Sequence, residues 1–258
     1  MNRSGAYQAG ANAATAGNAL LGVGAIAYTL AGNKLFAMLL IVGAIGFDGL
    51  DGWLHRRGGG PATLLGRVLD SSADAVSFGV APGVLIAVHT FAHAAYAPYA
   101  TVAVLVGFEV SALAIARLLY FTARSYAHPF FLGASTPQTA LALIGAVLFF
   151  DQPGYLGAWP AGLLVTAAVL APLMVLPIPF PKIRRGARLR GWMTGTSLAL
   201  AVGLILIQFA PARGSPLFIV TEVASAIAVA GIAVYYLVGP WSARRDTERL
   251  APEGVSHG

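Results

Sequence analysis

The chain has 258 residues, 57% of them hydrophobic and 10% charged, and a formal net charge of +6. Soluble domains carry about 25% charged residues, so an ordinary soluble fold is excluded; with no cysteine in the chain, disulfides, thiolate catalysis and zinc–cysteine centres are excluded too. The pI near 9.9 and mean hydropathy of +0.74 fit basic residues gathered in cytoplasmic loops of a membrane protein, and no nucleic-acid partner is expected.

Apolar stretches of the roughly 20 residues needed to cross a bilayer recur along nearly the whole chain. Eight spans are expected, near residues 15–31, 35–55, 64–92, 98–123, 134–150, 159–178, 191–210 and 216–239, with Pro and Gly at most of the joins. Alternating the loops from a cytoplasmic N-terminus leaves only Lys34 and Arg213 of the 16 Lys and Arg residues outside. That asymmetry supports the even span count and puts both termini in the cytoplasm. The expected fold is an all-α polytopic membrane bundle. Residues 1–240 form one membrane domain, and 241–258 form a short polar cytoplasmic tail.

Four aspartates interrupt this apolar background. Asp48 and Asp51 fall at the end of the second span, and Asp70 and Asp74 in the first turns of the third. Spacings of three and four place each pair on one helical face, side chains roughly 5–6 Å apart. The short Gly- and Arg-rich loop between them returns the chain antiparallel, so all four can face one another. Two arginines, Arg56 and Arg67, cannot neutralise four carboxylates in a low-dielectric site. Hard divalent cations prefer carboxylate oxygens, and intramembrane carboxylates usually mark function. The four aspartates therefore read as a metal site near the cytoplasmic face. Gly52 and Gly66 permit close backbone approach, and Arg56, one turn beyond Gly52, has the fork that clamps a phosphate.

The pattern Asp48-x2-Asp51-Gly52-x3-Arg56, then Gly66-x3-Asp70-x3-Asp74, resembles that of the CDP-alcohol phosphatidyltransferases. His55 stands where that family usually has alanine, and the Arg56–Gly66 connector is one residue longer than usual. Within the family the third-span block Leu69–Pro82 resembles the serine-transferring branch. So do Thr15-Ala-Gly-Asn18, Gly133-Ala-Ser-Thr-Pro137 and Leu173–Lys182, giving a likeness over roughly residues 12–185. In that branch's arginine-rich fourth-span element, Arg117 matches, whereas Tyr120 and Thr122 replace an arginine and an asparagine.

The resemblance implies transfer of a phosphatidyl group from CDP-diacylglycerol, or CDP-archaeol, to L-serine, with release of CMP. It implies Mg²⁺ or Mn²⁺, two ions, held by Asp48, Asp51, Asp70 and Asp74, with Asp74 also the general base. Thr15, Asn18, Gly52, Arg56 and Gly66 are the implied CDP-lipid contacts. Serine carries a carboxylate and an ammonium. Arg117 is the candidate for the carboxylate and Ser77 a second acceptor contact, while Glu109 and Glu222, inside spans, are open between structural and ammonium-binding roles. The resemblance further implies a homodimer in the cell membrane, in contact with membrane lipid. Another acceptor, such as inositol phosphate or glycerol 3-phosphate, is the alternative within the family. A cation transporter and an intramembrane prenyltransferase are the alternatives outside it.

Overall fold

The computed structural model describes residues 3–58, 63–92, 94–123, 130–151, 160–181, 203 and 234–241. Two long helices open the chain, α1 (Arg3–Leu30) and α2 (Lys34–Gly58). They turn at Gly32, whose φ of 81° ends a helix without a Cβ penalty. Asn33 then caps α2, its Oδ1 accepting from the Phe36 N–H at 3.1 Å. The pair packs tightly because small residues of α1 meet large ones of α2: a Cβ on Gly17 would lie 2.6 Å from the Phe47 ring. α1 begins about three turns before the expected span. Those turns carry Ser4, Gln8 and Asn12, which hydropathy leaves out of a span but a helix accommodates.

The third span is α3 (Leu64–Asp74), a π-helical stretch (Ala75–Val80) and α4 (Ala81–Ala92). Thr63 caps α3, its Oγ1 accepting from the Gly66 N–H at 3.0 Å. The π turn has a local cause. Pro82 has no N–H for the Phe78 carbonyl and its ring crowds the preceding turn; a wider turn relieves both. The Ala81 N–H accordingly bonds to the Val76 carbonyl, five residues back.

A 3₁₀ turn (Ala94–Tyr99) leads into α5 (Ala100–Ala123). α4 and α5 cross backbone to backbone: a Cβ on Gly83 would lie 2.4 Å from the Gly107 carbonyl oxygen, and one on Gly107 the same distance from that of Gly83. Such small-residue seams let membrane helices approach closely. Ser111 Oγ, on α5, adds hydrogen bonds to the Gly107 and Gly79 carbonyls.

Two shorter helices follow, α6 (Thr136–Asp151) and α7 (Pro160–Leu170). Residues 139–148 of α6 are all buried, so this helix is surrounded by protein rather than lipid. Its 16 residues span about 24 Å, short of the ~30 Å hydrocarbon core. Leu85, Ile86, Val110, Leu141, Ile144 and Leu163 fill the core around it. Leu20, Leu105, Phe108 and Leu237 remain exposed, as lipid-facing residues do.

The all-helical expectation missed one feature. β1 (Phe130–Leu132) and β2 (Pro179–Pro181) pair antiparallel, Phe131 opposite Phe180. Gly133, at φ 76°, tucks under the chain so closely that a Cβ would lie 2.1 Å from the Met174 carbonyl oxygen. The Gly133 N–H donates to Ile178 O and the Ala134 N–H to Leu173 O, both at 2.8 Å. Protein thereby satisfies the non-helical backbone, as a membrane setting requires.

Among the described residues, four helices are long and apolar enough to cross a membrane: Ser4–Leu30, Lys34–Gly58, Leu64–His89 and Ala97–Ala123. The expected fifth and sixth spans correspond to the shorter apolar helices Thr136–Phe150 and Ala161–Met174. The seventh, and most of the eighth up to residue 233, lie outside the described residues.

The Gly83–Gly107 seam gives a stability test. Gly107→Ala should destabilise the detergent-solubilised protein by roughly 1–3 kcal/mol through overpacking, read as a lower melting temperature. Gly46→Ala, where an added Cβ meets nothing within 4 Å, should leave the melting temperature unchanged or raise it slightly.

Candidate active site

The antiparallel return from α2 to α3 brings the aspartates together. Carboxylate oxygens of Asp48, Asp70 and Asp74 all lie within 4.8 Å of one another. Asp48 and Asp70 are half-buried, and Asp74 is buried. Asp51 is only 2% exposed and stands beside this trio, its carboxyl against that of Asp70. An all-oxygen donor set drawn from two helices fits a hard divalent cation.

Helix α1 supplies the polar support. Thr15 Oγ1 donates to Asp51 Oδ2 at 2.9 Å, with the Ala11 carbonyl 3.1 Å away. Asn18, wholly buried, donates from Nδ2 to Asp74 Oδ1 at 2.9 Å. Among the described residues, Asn18 Oδ1 has no hydrogen-bond partner. Both residues were expected as CDP-lipid contacts; the structure places them against the carboxylates. Ser77 belongs to the same assembly. Its hydroxyl donates to the Asn18 carbonyl at 2.8 Å, and it is fully buried against Gly22, where a Cβ would lie 2.3 Å from Ser77 Oγ. As a donor that hydroxyl is committed; an acceptor contact at Ser77, as expected from sequence, would use the lone pairs of its oxygen.

A cavity of about 200 Å³ opens beside Asp70. Ser4, Gln8 and Asn12 of α1 line it at helical spacing, facing His55, Gly66 and Arg67. The sequence reading missed these three polar residues, although their spacing of four is a legible face. Gly52 and Arg56 sit at the end of α2, with the Arg56 guanidinium folded back so that a Cβ on Gly52 would lie 3.2 Å from its Nη1.

A second cavity, about 350 Å³, lies along α5. Arg117 enters it together with Tyr120 and Phe121, and Leu132 and Met174 close the other side. Arg117 is 7% exposed. Its guanidinium sits 4.7 Å from the Phe121 ring centre, and among the described residues its Nε has no hydrogen-bond partner. Tyr120 and Thr122, the departures from the serine-transferring pattern, have separate places: Tyr120 lines the cavity, and the Thr122 hydroxyl is hydrogen-bonded to Ser71, tying α5 to α3. Glu109 is half-buried on α5; Glu222 lies outside the described residues. Ser135 and Tyr235, which meet near Arg117, had no signal in the sequence, being 100 residues apart.

Known proteins share this arrangement of sequence. The family profile described as CDP-alcohol phosphatidyltransferase matches residues 9–178. A CDP-diacylglycerol–serine O-phosphatidyltransferase of Mycobacterium tuberculosis is 29% identical over 226 residues, covering 84% of this chain and 68% of the relative. An archaetidylserine synthase of Methanothermobacter thermautotrophicus is 29% identical over 167 residues, covering 64% of this chain and 66% of the relative. A CDP-diacylglycerol–serine O-phosphatidyltransferase of Bacillus subtilis is 31% identical over 176 residues, covering 67% of this chain and 90% of the relative. Of other mycobacterial relatives the chain spans little more than half the length, 54–57%. A match running from the first helix to the hairpin, through the whole carboxylate cluster, makes this chain a member of the CDP-alcohol phosphatidyltransferase family.

Proposed function

We propose that the chain is an integral-membrane transferase that moves a phosphatidyl group from CDP-diacylglycerol, or an archaeal CDP-lipid, to L-serine, releasing CMP. The observation that carries this reading is the convergence of Asp48, Asp70 and Asp74 within 4.8 Å, on the spacing of a family that uses CDP-alcohol substrates. The relatives, named as two serine phosphatidyltransferases and an archaetidylserine synthase, support serine as acceptor. The bias of Lys and Arg toward one side supports eight spans, cytoplasmic termini and a site near the cytoplasmic face of the cell membrane. We assign a homodimer on family resemblance.

Asp48, Asp51, Asp70 and Asp74 would hold two divalent ions, Mg²⁺ or Mn²⁺, whose chemistry is to neutralise the donor's pyrophosphate and the departing CMP. Asp74 is the general base. Asn18 holds its Oδ1, leaving Oδ2 to take the proton of the serine hydroxyl. The serine Oγ–P bond forms, and the P–O bond to CMP breaks. Gly52, Arg56 and Gly66 contribute the backbone approach and the phosphate clamp. The cavity lined by Ser4, Gln8, Asn12 and His55 lies where the nucleotide would sit.

Arg117 receives the serine carboxylate. Among the described residues lining its cavity it is the one charged side chain. A guanidinium matches one carboxylate bidentately, whereas a phosphorylated acceptor would bring a second negative charge with no partner there, a costly arrangement. At about 350 Å³ the cavity selects by charge, not by size.

Two experiments test this reading. Metal chelation of the purified protein should abolish CMP release from CDP-diacylglycerol and serine, and Mg²⁺ or Mn²⁺ should restore it. Asp74→Asn should lower turnover by roughly 10²–10⁴-fold while Mn²⁺ binding, followed by electron paramagnetic resonance, persists. Near-normal turnover of this variant would end the base assignment. Separately, the wild-type protein given CDP-diacylglycerol with serine, glycerol 3-phosphate or inositol phosphate should yield a lipid product by mass spectrometry with serine alone. Arg117→Gln should raise the KM for serine roughly 10- to 100-fold and leave that for CDP-diacylglycerol unchanged. A product from a phosphorylated acceptor instead would overturn serine and leave the family chemistry standing.

A further inference from the structure

The helical segment 234–241 lies beyond the stretch that the family profile matches, which ends at residue 178. It nonetheless packs against the two-stranded sheet whose Leu132 lines the Arg117 cavity. Tyr235 is 5% exposed, and its ring stacks on Phe180 of β2, centroids 5.4 Å apart at 29°. Its hydroxyl hydrogen-bonds with Ser135, through both the side chain and the backbone of that residue. Ser135 follows the Gly133 turn, and β1, paired with β2, carries Leu132 into the cavity. One tyrosine therefore contacts β2 and the segment that follows β1, beside the two-stranded sheet that carries Leu132 into the Arg117 cavity.

We infer that Tyr235 is a positioning residue for the acceptor site, so that a helix outside the family-matched stretch completes the Arg117 cavity. The inference rests on the acceptor reading above. Packing alone accounts for the ring, since phenylalanine would stack on Phe180 equally well. It does not account for the hydroxyl, which is costly to bury unless hydrogen-bonded. That hydroxyl meets Ser135, whereas nearness to the Arg117 guanidinium is shared with Tyr236. The Phe121 ring lies against the guanidinium, its centre 4.7 Å away.

The neighbouring residue supplies the control. Tyr236 sits on the same segment, edge-on to Phe180 at 5.9 Å, and its hydroxyl bonds to Thr139 of α6 at 2.8 Å, away from the cavity lining. Tyr235→Phe in the full chain should raise the KM for serine about three- to tenfold. It should leave kcat at saturating serine and the KM for CDP-diacylglycerol unchanged. Tyr236→Phe should lower the melting temperature without moving the KM for serine. The double variant Tyr235→Phe, Arg117→Gln should raise the KM for serine by less than the product of the two single effects, because both residues serve one cavity.

If serine is used and the two tyrosine variants behave alike, or if Tyr235→Phe weakens both substrates equally, the positioning role is overturned. If the protein uses another acceptor and shows the same contrast between Tyr235 and Tyr236 for it, the serine reading falls and the positioning role stands.

Discussion

Everything in this molecule answers to the mutual repulsion of four carboxylates placed where the dielectric is low. Like charges so close cost several kcal/mol even at an effective dielectric constant of about 20. The fold must hold them together without cancelling them. It does so with neutral donors: the Thr15 hydroxyl on Asp51 and the Asn18 amide on Asp74. Both donors come from α1, three residues apart and so on one face. α1 is thereby the support for carboxylates contributed by two other helices. Its tight seams with α2 at Gly17 and with the π turn at Gly22 fix the depth at which those donors arrive.

The π turn after Asp74 links the site to the bundle. Pro82 forces a wide turn, and the extra residue shifts the helical phase between the carboxylate end and the packing end of the third span. Asp74 and Ser77 meet α1, while Gly79 and Gly83 meet α5. A regular helix would carry one phase throughout. α5 is then brought close enough for Ser71 and Thr122 to bond between helices, and Arg117 arrives within electrostatic reach of Asp74.

The carboxylate cluster was legible in the sequence because its residues sit at short fixed spacings: Asp48 to Asp51, Asp70 to Asp74. The helices were legible as apolar runs. What was hidden depends on partners distant in the chain. Nothing near Asn18 indicates that its amide lies against Asp74. Strands of three residues, one of them Pro-Phe-Pro, show no alternating period, so the two-stranded sheet was invisible. α6 is surrounded by protein, which composition cannot distinguish from lipid.

Asp74 and Arg117 show how the two halves coexist. A carboxylate and a guanidinium within reach of each other would ordinarily close into an ion pair. Here Asp74 is held by Asn18, itself buttressed by the Ser77 hydroxyl, and Arg117 lies against the Phe121 ring. On the proposed reading, an acceptor with its hydroxyl at Asp74 and its carboxylate at Arg117 would bridge the two groups, and their separation, rather than either charge alone, would set the length and polarity of the alcohol used.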